Sequence, residues 1–296
     1  MTASKVLPDP DARAIESLRA IDDAVLVATG HEAVPEATWR SLERDPADCV
    51  LALSPDGRVG AVALPSDSFT PAYRALAVAA RPATPAAAVV EVVGALLEVE
   101  CATTLTAWLP GTDATVEAAL RSVGFREDRR QHQMRVPLPR PDVARVPDGV
   151  QLRAFRPGTD DAAWLRVNNR AFANHPDQGG WVEEILTRRM AEPWFDPAGF
   201  LLAWRGDDLA GFCWTKVHEE PERLGEIFVI GVDPDAQGLG LGRALVLAGL
   251  DHLATVRECP NGVLYVAAAN TPAVSLYESL GFVIHRTDTA LVRDRP

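Results

Sequence analysis

A glycine-rich turn at residues 237–242 lies between an apolar stretch and a helical pattern. Gly238, Gly240 and Gly242 have no Cβ atom, so a ligand can approach the backbone closely there. The amides that open the next helix have no partner within it, and together with the helix dipole they favour an anion. The pattern predicts a buried strand at 227–232, a phosphate-binding loop and a helix at 243–253, a combination that suits a pyrophosphate.

Spacing excludes two other phosphate-binding loops. The P-loop needs GxxxxGK[ST], and neither Lys-Ser nor Lys-Thr follows these glycines. The dinucleotide motif GxGxxG also fails, because the three glycines are spaced by two throughout. The pattern that remains is QxxGxG.

Two ionisable residues near this turn could transfer protons. Glu226 opens the strand ahead of the turn, and a carboxylate needs only a modest shift to take a proton from an amine of pKa near 8. Tyr277, on a helix predicted at 272–280, could return a proton to a departing thiolate. Glu226 could equally be a solvated strand residue, Tyr277 a packed side chain, and Asn270 a helix cap.

Together these features resemble the GNAT family of N-acetyltransferases over residues 150–296: the strand at 226–232, QxxGxG at 237–242, Asn270, Tyr277 and the tripeptide Leu-Gly-Phe at 280–282. The resemblance implies an α/β fold with a mixed sheet and acetyl-CoA as co-substrate. It also implies that the fourth and fifth strands diverge, and that amides around 230–232 polarise the acetyl carbonyl as an oxyanion hole would.

The chain also repeats itself at an offset of about 155 residues, which internal alignment detects. Ala83, Ala86 and Ala88 then stand where the second half has Gln237, Gly240 and Gly242, and Leu120 stands where it has Tyr277. We therefore predict two tandem GNAT domains: a degenerate, non-catalytic domain at 1–140 that walls the active site, a proline-rich linker at 141–150, and a catalytic domain at 151–296.

Stretches at 167–172, 175–181, 194–197 and 214–218 carry a narrower resemblance, to a tandem branch of the family. It implies acetylation of the cysteinyl α-amine of a cysteinyl-glucosaminyl-inositol. The substrate contacts that it implies are Glu36, Asp177, Lys216, Glu226 and Tyr265. The acetyl-CoA contacts that it implies are Ile230, Gly231, Val232, Gln237, Gly238, Leu239, Gly240, Leu241, Gly242, Arg243, Asn270, Thr271, Pro272, Ala273, Val274 and Ser275. Asp177 stands where relatives carry Glu, and the segment 82–88 no longer resembles a CoA site.

Composition narrows the class of partner. The net charge of −12 argues against binding to nucleic acid or an anionic membrane, which needs clustered Lys and Arg. The four scattered cysteines are expected to be buried thiols, with no metal. We expect a cytoplasmic monomer that acts on a small molecule. An acetyltransferase for another amine, such as an aminoglycoside-like sugar or a peptide N-terminus, and a non-enzymatic acyl-CoA sensor remain as alternatives.

Overall fold

The computed structural model describes residues 4–65, 73–100, 104–111, 113–173, 178–219 and 222–294. The first half comprises β1 (Lys5–Pro8), α1 (Ala12–Thr29), α2 (Glu36–Arg44), β2 (Val50–Leu53), β3 (Val59–Pro65), β4 (Tyr73–Ala80), α3 (Ala86–Val99), β5 (Thr104–Leu109), α4 (Ala114–Ser122) and β6 (Arg126–Pro137). The second comprises β7 (Val150–Ala154), α5 (Asp161–Ala171), α6 (Glu183–Met190), β8 (Phe200–Arg205), β9 (Asp208–His218), β10 (Leu224–Val232), α7 (Leu241–Thr255), β11 (Asn261–Ala267), α8 (Thr271–Ser279) and β12 (Val283–Asp294).

The chain divides into two compact units, and the first of them is built from two separate stretches of the sequence. The N-terminal unit contains residues 1–131 and 286–296, and the C-terminal unit contains residues 132–285. Strands β6 and β12 each contribute residues to both units. The sequence predicted domain boundaries at 140 and 150, and the bounds of the compact units differ from these. The reason is that a strand is part of the unit that contains the strands to which it is hydrogen-bonded. The assignment of a degenerate and a catalytic domain stays a prediction.

The N-terminal unit has the strand order β1-β2-β3-β4-β5-β12. Successive side chains of a strand point to opposite faces, and both faces of this sheet are buried. Val62 and Leu64 of β3 belong to the apolar cluster that contains α1 and α2 residues. Ala61 and Ala63 belong to the cluster that contains α3 and α4 residues. The sheet is therefore covered by one helix pair on each face.

The C-terminal unit repeats this arrangement, with the strand order β7-β8-β9-β10-β11-β6. One face carries an aromatic cluster with residues of α5 and α6, including Trp164 and Trp214. The other carries an aliphatic cluster with residues of α7 and α8, including Leu245 and Leu280. The tandem repeat of the mixed α/β sheet, predicted from the sequence, is thereby confirmed.

Several element bounds differ from the sequence prediction. Strands β1 and β7 were not predicted, and both end their sheets, where alternation of buried and exposed residues is weak. Strand β6 begins at Arg126 rather than at 132, because its first half is a largely exposed, charged ribbon that lacks the apolar signal. Strand β10 begins at Leu224, so Glu226 lies inside the strand rather than opening it.

Cys49, Cys213 and Cys259 are free and buried, as predicted, whereas Cys101 lies outside the described residues. Burial raises the pKa of the Cys213 thiol to about 12, which keeps it protonated and inert. Within the described ranges, none of the helices combines the length and the apolar character that a membrane span requires.

Asp160 connects the start of α5 to β7 and is almost completely buried. The Arg153 guanidinium donates two hydrogen bonds to its carboxylate, at 2.6 and 2.7 Å, and the Arg156 amide donates a third at 2.7 Å. The hydrogen bonds from Arg153, opposed by burial and assisted by the Arg156 amide, lower the pKa of Asp160. The guanidinium also lies 4.8 Å from the centre of the Trp204 ring, which adds a cation–π contact.

We predict that Asp160→Asn lowers the free energy of unfolding by about 2 kcal/mol at neutral pH, because it removes one member of a buried pair. Since the folded-state pKa of Asp160 is lowered, its contribution is present above the unfolded value near 4 and is lost as the pH falls through the folded value. Urea unfolding of the two proteins should therefore differ at pH 7 and converge below about pH 4. Asp207→Asn, in an exposed turn, is the matched control. An equal effect of both variants, or a difference independent of pH, would contradict the assignment.

Candidate active site

The site is organised by two parallel strands that stop pairing. Strands β10 and β11 are in register only from Gly225 opposite Gly262 to Ile227 opposite Leu264, although both continue beyond these residues. On its other edge β10 pairs with β9, and that register shifts between Ile227 and Val229, so Phe228 is an extra, bulged residue. A bulge bends its strand and increases its twist. A crevice at the carboxyl ends of parallel strands is a preferred ligand site in open α/β sheets.

The bulge also redistributes side chains between the two faces of the sheet. Ahead of it, Glu226 shares a face with Lys216, its direct partner on β9. Behind it, Val229 packs with the aromatic cluster, whereas Ile230 and Val232 pack with the aliphatic cluster on the other face. Without the extra residue, strict alternation would put Glu226, Ile230 and Val232 on one face.

The glycine loop follows β10 as predicted. A short 3₁₀ turn at Pro234–Ala236 is capped by the Asp233 side chain, and then Gly238 and Gly240 adopt φ values of 81° and 74°. A Cβ atom at either glycine would contact no protein atom within 4 Å. The left-handed backbone therefore explains both glycines within the protein itself, because other residues adopt it only with strain. The closer approach of a ligand, the reason given by the sequence, stays a prediction.

The loop delivers unpaired amides to the start of α7. Gly240 is the N-cap and supplies no side chain, and the first bond in the helix runs from the Ala244 amide to the Gly240 carbonyl at 3.3 Å. The amides of Leu241, Gly242 and Arg243 precede that bond and have no acceptor within α7. Three N–H groups at a positive dipole end suit a phosphate.

Glu226 is 7% exposed and lies in the middle of the candidate site. Its Oε2 atom is 2.7 Å from Nε2 of His218, two residues beyond Lys216 on β9. Lys216 is also buried, and its Nζ atom lies 5.3 Å from the centre of the Trp194 ring. Because β9 residues 216 and 218 share a face, the sheet brings the predicted acid–base residue and the predicted lysine together.

Tyr265 joins this group from β11. Val263 is in register with Glu226, and Tyr265 follows two residues later on the same face. Its ring is partly exposed, and its hydroxyl accepts a hydrogen bond of 2.7 Å from Nε2 of Gln133. The face therefore presents an amine-attracting carboxylate, an ammonium group and a phenol, a set that suits a polar substrate with several hydroxyls.

Tyr277 comes from the opposite face of the sheet. It belongs to the aliphatic cluster, with its ring centre 5.8 Å from that of Phe282. Burial, assisted by the neighbouring Cys213 thiol, raises the pKa of the Tyr277 phenol to about 12. Among the described residues the hydroxyl has no hydrogen-bond partner. Glu226 and Tyr277, the predicted base and acid, thus lie on opposite faces of the sheet.

Asn270 acts as a cap. Its side chain accepts a hydrogen bond from the Ala273 amide at 3.3 Å, and Pro272 follows in the first turn of α8. The predicted contact with acetyl-CoA is untested, as are those of residues 271–275 beside it. Arg243, at the start of α7, donates a hydrogen bond of 3.1 Å to Ser279.

This geometry does not test two of the predicted substrate contacts. Glu36 belongs to the N-terminal unit, where it opens α2 and pairs with Arg40 one turn later. Asp177 lies outside the described residues. Both stay predictions.

Other residues of the group were missed or had no assigned role. His218 and Trp194 both lie in stretches that carried the family resemblance. The signal for His218 was its spacing of two from Lys216, which on a strand means a shared face. Trp194 packs against the bulged Phe228, with ring centres 4.9 Å apart, a contact that sequence spacing does not indicate.

The two asparagines of the stretch at 167–172 anchor the segment that follows α5. Asn168 Nδ2 donates to the Gln178 carbonyl at 2.9 Å. Asn169 exchanges two bonds with the Trp181 backbone: its Nδ2 donates to the carbonyl at 2.8 Å, and its Oδ1 accepts from the amide at 2.9 Å. These residues therefore position a loop.

The corresponding turn in the N-terminal unit, residues 81–85, contains no glycine. Ala83 keeps a left-handed φ of 59°, and Pro85 is the N-cap of α3. Leu120, which the repeat alignment places opposite Tyr277, is completely buried. A cavity of about 180 Å³ remains near the ends of β4 and β5, with Val78, Leu109 and His31 among its lining residues.

Comparisons of this chain with known protein families and solved structures agree with this geometry. Residues 164–282 match the model of the acetyltransferase (GNAT) family. A GCN5-related N-acetyltransferase from Sphaerobacter thermophilus superposes with a TM-score of 0.76 at 22% identity, over 99% of this chain and 96% of that one. A tandem GNAT protein from the clavulanic acid biosynthesis pathway gives a TM-score of 0.70 at 18% identity, over 99% of both chains. These structures share the fold.

Sequence relatives are closer. A mycothiol acetyltransferase from Thermomonospora curvata is 54% identical over 187 residues, which are 62% of each chain, so that match spans less than two thirds of the relative. One from Acidimicrobium ferrooxidans is 42% identical over 99% of this chain and 98% of its own length. The chain therefore belongs to the GNAT family of acetyltransferases and, within it, to the mycothiol acetyltransferase group.

The glycine loop yields a test with a matched control. Gly240→Ala forces a Cβ atom onto a left-handed residue, so the start of α7 shifts; we expect the Kd for CoA, measured by calorimetry, to rise on the order of tenfold, or about 1.4 kcal/mol. Gly206→Ala makes the same change at a φ of 61° in the turn between β8 and β9, where a Cβ atom also meets open space. Both variants should lose similar stability. An unchanged Kd in Gly240→Ala would mean that the loop does not bind the pyrophosphate.

Proposed function

We propose that the protein is an acetyl-CoA-dependent N-acetyltransferase that acetylates the cysteinyl α-amine of cysteinyl-glucosaminyl-inositol, giving mycothiol and CoA. The observation that carries the proposal is the nearly full-length similarity to the mycothiol acetyltransferase of Acidimicrobium ferrooxidans. The grouping of Lys216, Glu226 and Tyr265 on one face supports it, because the acceptor combines an amine with many hydroxyls.

In the proposed reaction the amine is held on the Glu226 face and the thioester in the gap between β10 and β11. The ammonium form of the acceptor first gives one proton to solvent; Glu226 then takes a second, directly or through a water, as the neutral nitrogen attacks the acetyl carbonyl carbon. Backbone amides of residues 230–232 stabilise the oxyanion that forms. The carbon–sulfur bond then breaks, and the sulfur leaves as a thiolate.

Tyr277 supplies the proton that the thiolate takes up. With a pKa near 12, the phenol is fully protonated at neutral pH and is ready to donate. The pKa of Tyr277 also lies above the pKa of about 8.5 of a free thiol, so proton transfer from Tyr277 to a solvated thiolate is unfavourable. A thiolate formed beside Tyr277 lies in the same buried environment, away from water. This desolvation raises the pKa of the thiol. Glu226 then releases its proton to solvent, and Tyr277 takes up a proton from solvent. Both residues thereby return to their starting protonation states.

We predict that purified protein releases CoA from acetyl-CoA rapidly with cysteinyl-glucosaminyl-inositol and slowly with free cysteine or an aminoglycoside. Glu226→Gln and Tyr277→Phe should each lower kcat about tenfold or more, because each removes one proton-transfer group. Glu278→Gln, on the exposed side of α8 next to Tyr277, removes a carboxylate outside the site and should retain the wild-type kcat.

Each other outcome has a definite meaning. Faster turnover with a different amine would keep the mechanism and overturn the acceptor. Binding of acetyl-CoA without turnover on any amine would favour an acyl-CoA sensor. Wild-type kcat in either Glu226→Gln or Tyr277→Phe would remove that residue from the mechanism.

A further inference from the structure

We propose that His218 is a positioning residue for Glu226: it donates a hydrogen bond to Oε2 and thereby directs Oε1 at the acceptor amine. The proposal rests on the function proposed above, since it concerns the base of that reaction. It assigns a role to a side chain that the family resemblance left without one.

The first step is the direction of the hydrogen bond. Nε2 of His218 lies 2.7 Å from Oε2 of Glu226. An ionised carboxylate only accepts hydrogen bonds, so the imidazole must carry its proton on Nε2. The short contact is that of a charge-assisted bond, which fixes the carboxylate more firmly than a neutral one would.

The second step concerns Oε1, the other carboxylate oxygen of Glu226. Among the described residues, Glu226 Oε1 accepts no hydrogen bond, and the side chain as a whole is 10% exposed. One oxygen is therefore held by the protein, and the other is available at the edge of the buried region. A general base needs this division, because its carboxylate must keep one orientation while an oxygen remains open to the amine.

The third step is the rigidity of the support. Strands β9 and β10 are in continuous register from Leu224 opposite His218 to Ile227 opposite Thr215. His218 reaches Glu226 diagonally, across two residues of this ladder, on the face that also carries Lys216. The bulge at Phe228 begins just beyond the ladder, so His218 holds Glu226 at the last regular part of β10.

Two substitutions separate positioning from packing. His218→Leu introduces an apolar side chain of moderate size and removes the hydrogen-bond donor to Glu226. It should lower kcat about tenfold with little change in the KM for acetyl-CoA. His218→Gln places an amide N–H near the position of Nε2, and should recover kcat to within about threefold of the wild type. A role in packing alone predicts the reverse order, because Leu fills the buried space better than the polar amide does.

A double-mutant cycle provides the second readout. If His218 acts through the Glu226 carboxylate, His218→Leu should change kcat less than about twofold in a Glu226→Gln background, so the two effects are not additive. A full tenfold effect in that background would overturn the proposal. So would a wild-type kcat in His218→Leu, or a kcat in His218→Gln as low as in His218→Leu.

A spectroscopic measurement separates this inference from the proposed function. In the wild-type protein the imidazole ¹⁵N shifts of His218 should report a proton on Nε2, whether or not any acceptor is turned over. An Nδ1–H tautomer with bare Nε2 would reject the hydrogen bond and the inference, even in an active enzyme. Failure of the wild-type protein to acetylate any amine would reject the proposed function alone.

Discussion

The parallel pairing of β10 with β11 ends after Ile227 and Leu264, and the candidate site depends on that interruption. A continued ladder would satisfy the backbone groups of β10 on that edge and close the sheet. The bulge at Phe228 bends the strand at the same point, so the gap opens where the strands approach the glycine loop. A cofactor in the gap can therefore reach amides on β10 and the N-terminus of α7, both of which favour developing or permanent negative charge.

This geometry gives the two proposed proton-transfer groups different environments. Glu226 lies on the aromatic face, where its Oε2 atom is 2.7 Å from Nε2 of His218 and Lys216 is its direct partner on β9. Tyr277 lies on the aliphatic face, where burial raises its pKa and keeps it protonated. One sheet thus carries the proposed proton acceptor on one side and the proposed donor on the other, and in the proposed reaction the reacting atoms occupy the gap between β10 and β11.

The two compact units share one arrangement of strands and helices but differ in sequence at the positions of the candidate site. Both have the same strand order and a helix pair on each face. The alignment gives the N-terminal unit Ala83, Ala86 and Ala88 in the places of Gln237, Gly240 and Gly242, and Leu120 in the place of Tyr277. Core packing depends on apolar volume at buried positions, which many residues provide. Binding of a phosphate and transfer of a proton depend on particular atoms, so the loss of function predicted for the N-terminal unit needs only a few substitutions.

The sequence alone indicated the glycine loop and the helix that follows it, because period, turn chemistry and capping act between near neighbours along the chain. Internal alignment indicated the tandem repeat, and the family resemblance implied the mixed α/β sheet. Through a family resemblance the sequence also predicted Glu226, Lys216, Tyr265 and Tyr277 as site residues, and the structure places the first three on one face of the sheet. The sequence did not indicate the bulge at Phe228, the pairing of His218 with Glu226, or the placement of Tyr277 on the opposite face. Those depend on the register between strands, where one extra residue moves every later side chain to the other face, and only the tertiary structure decides that register.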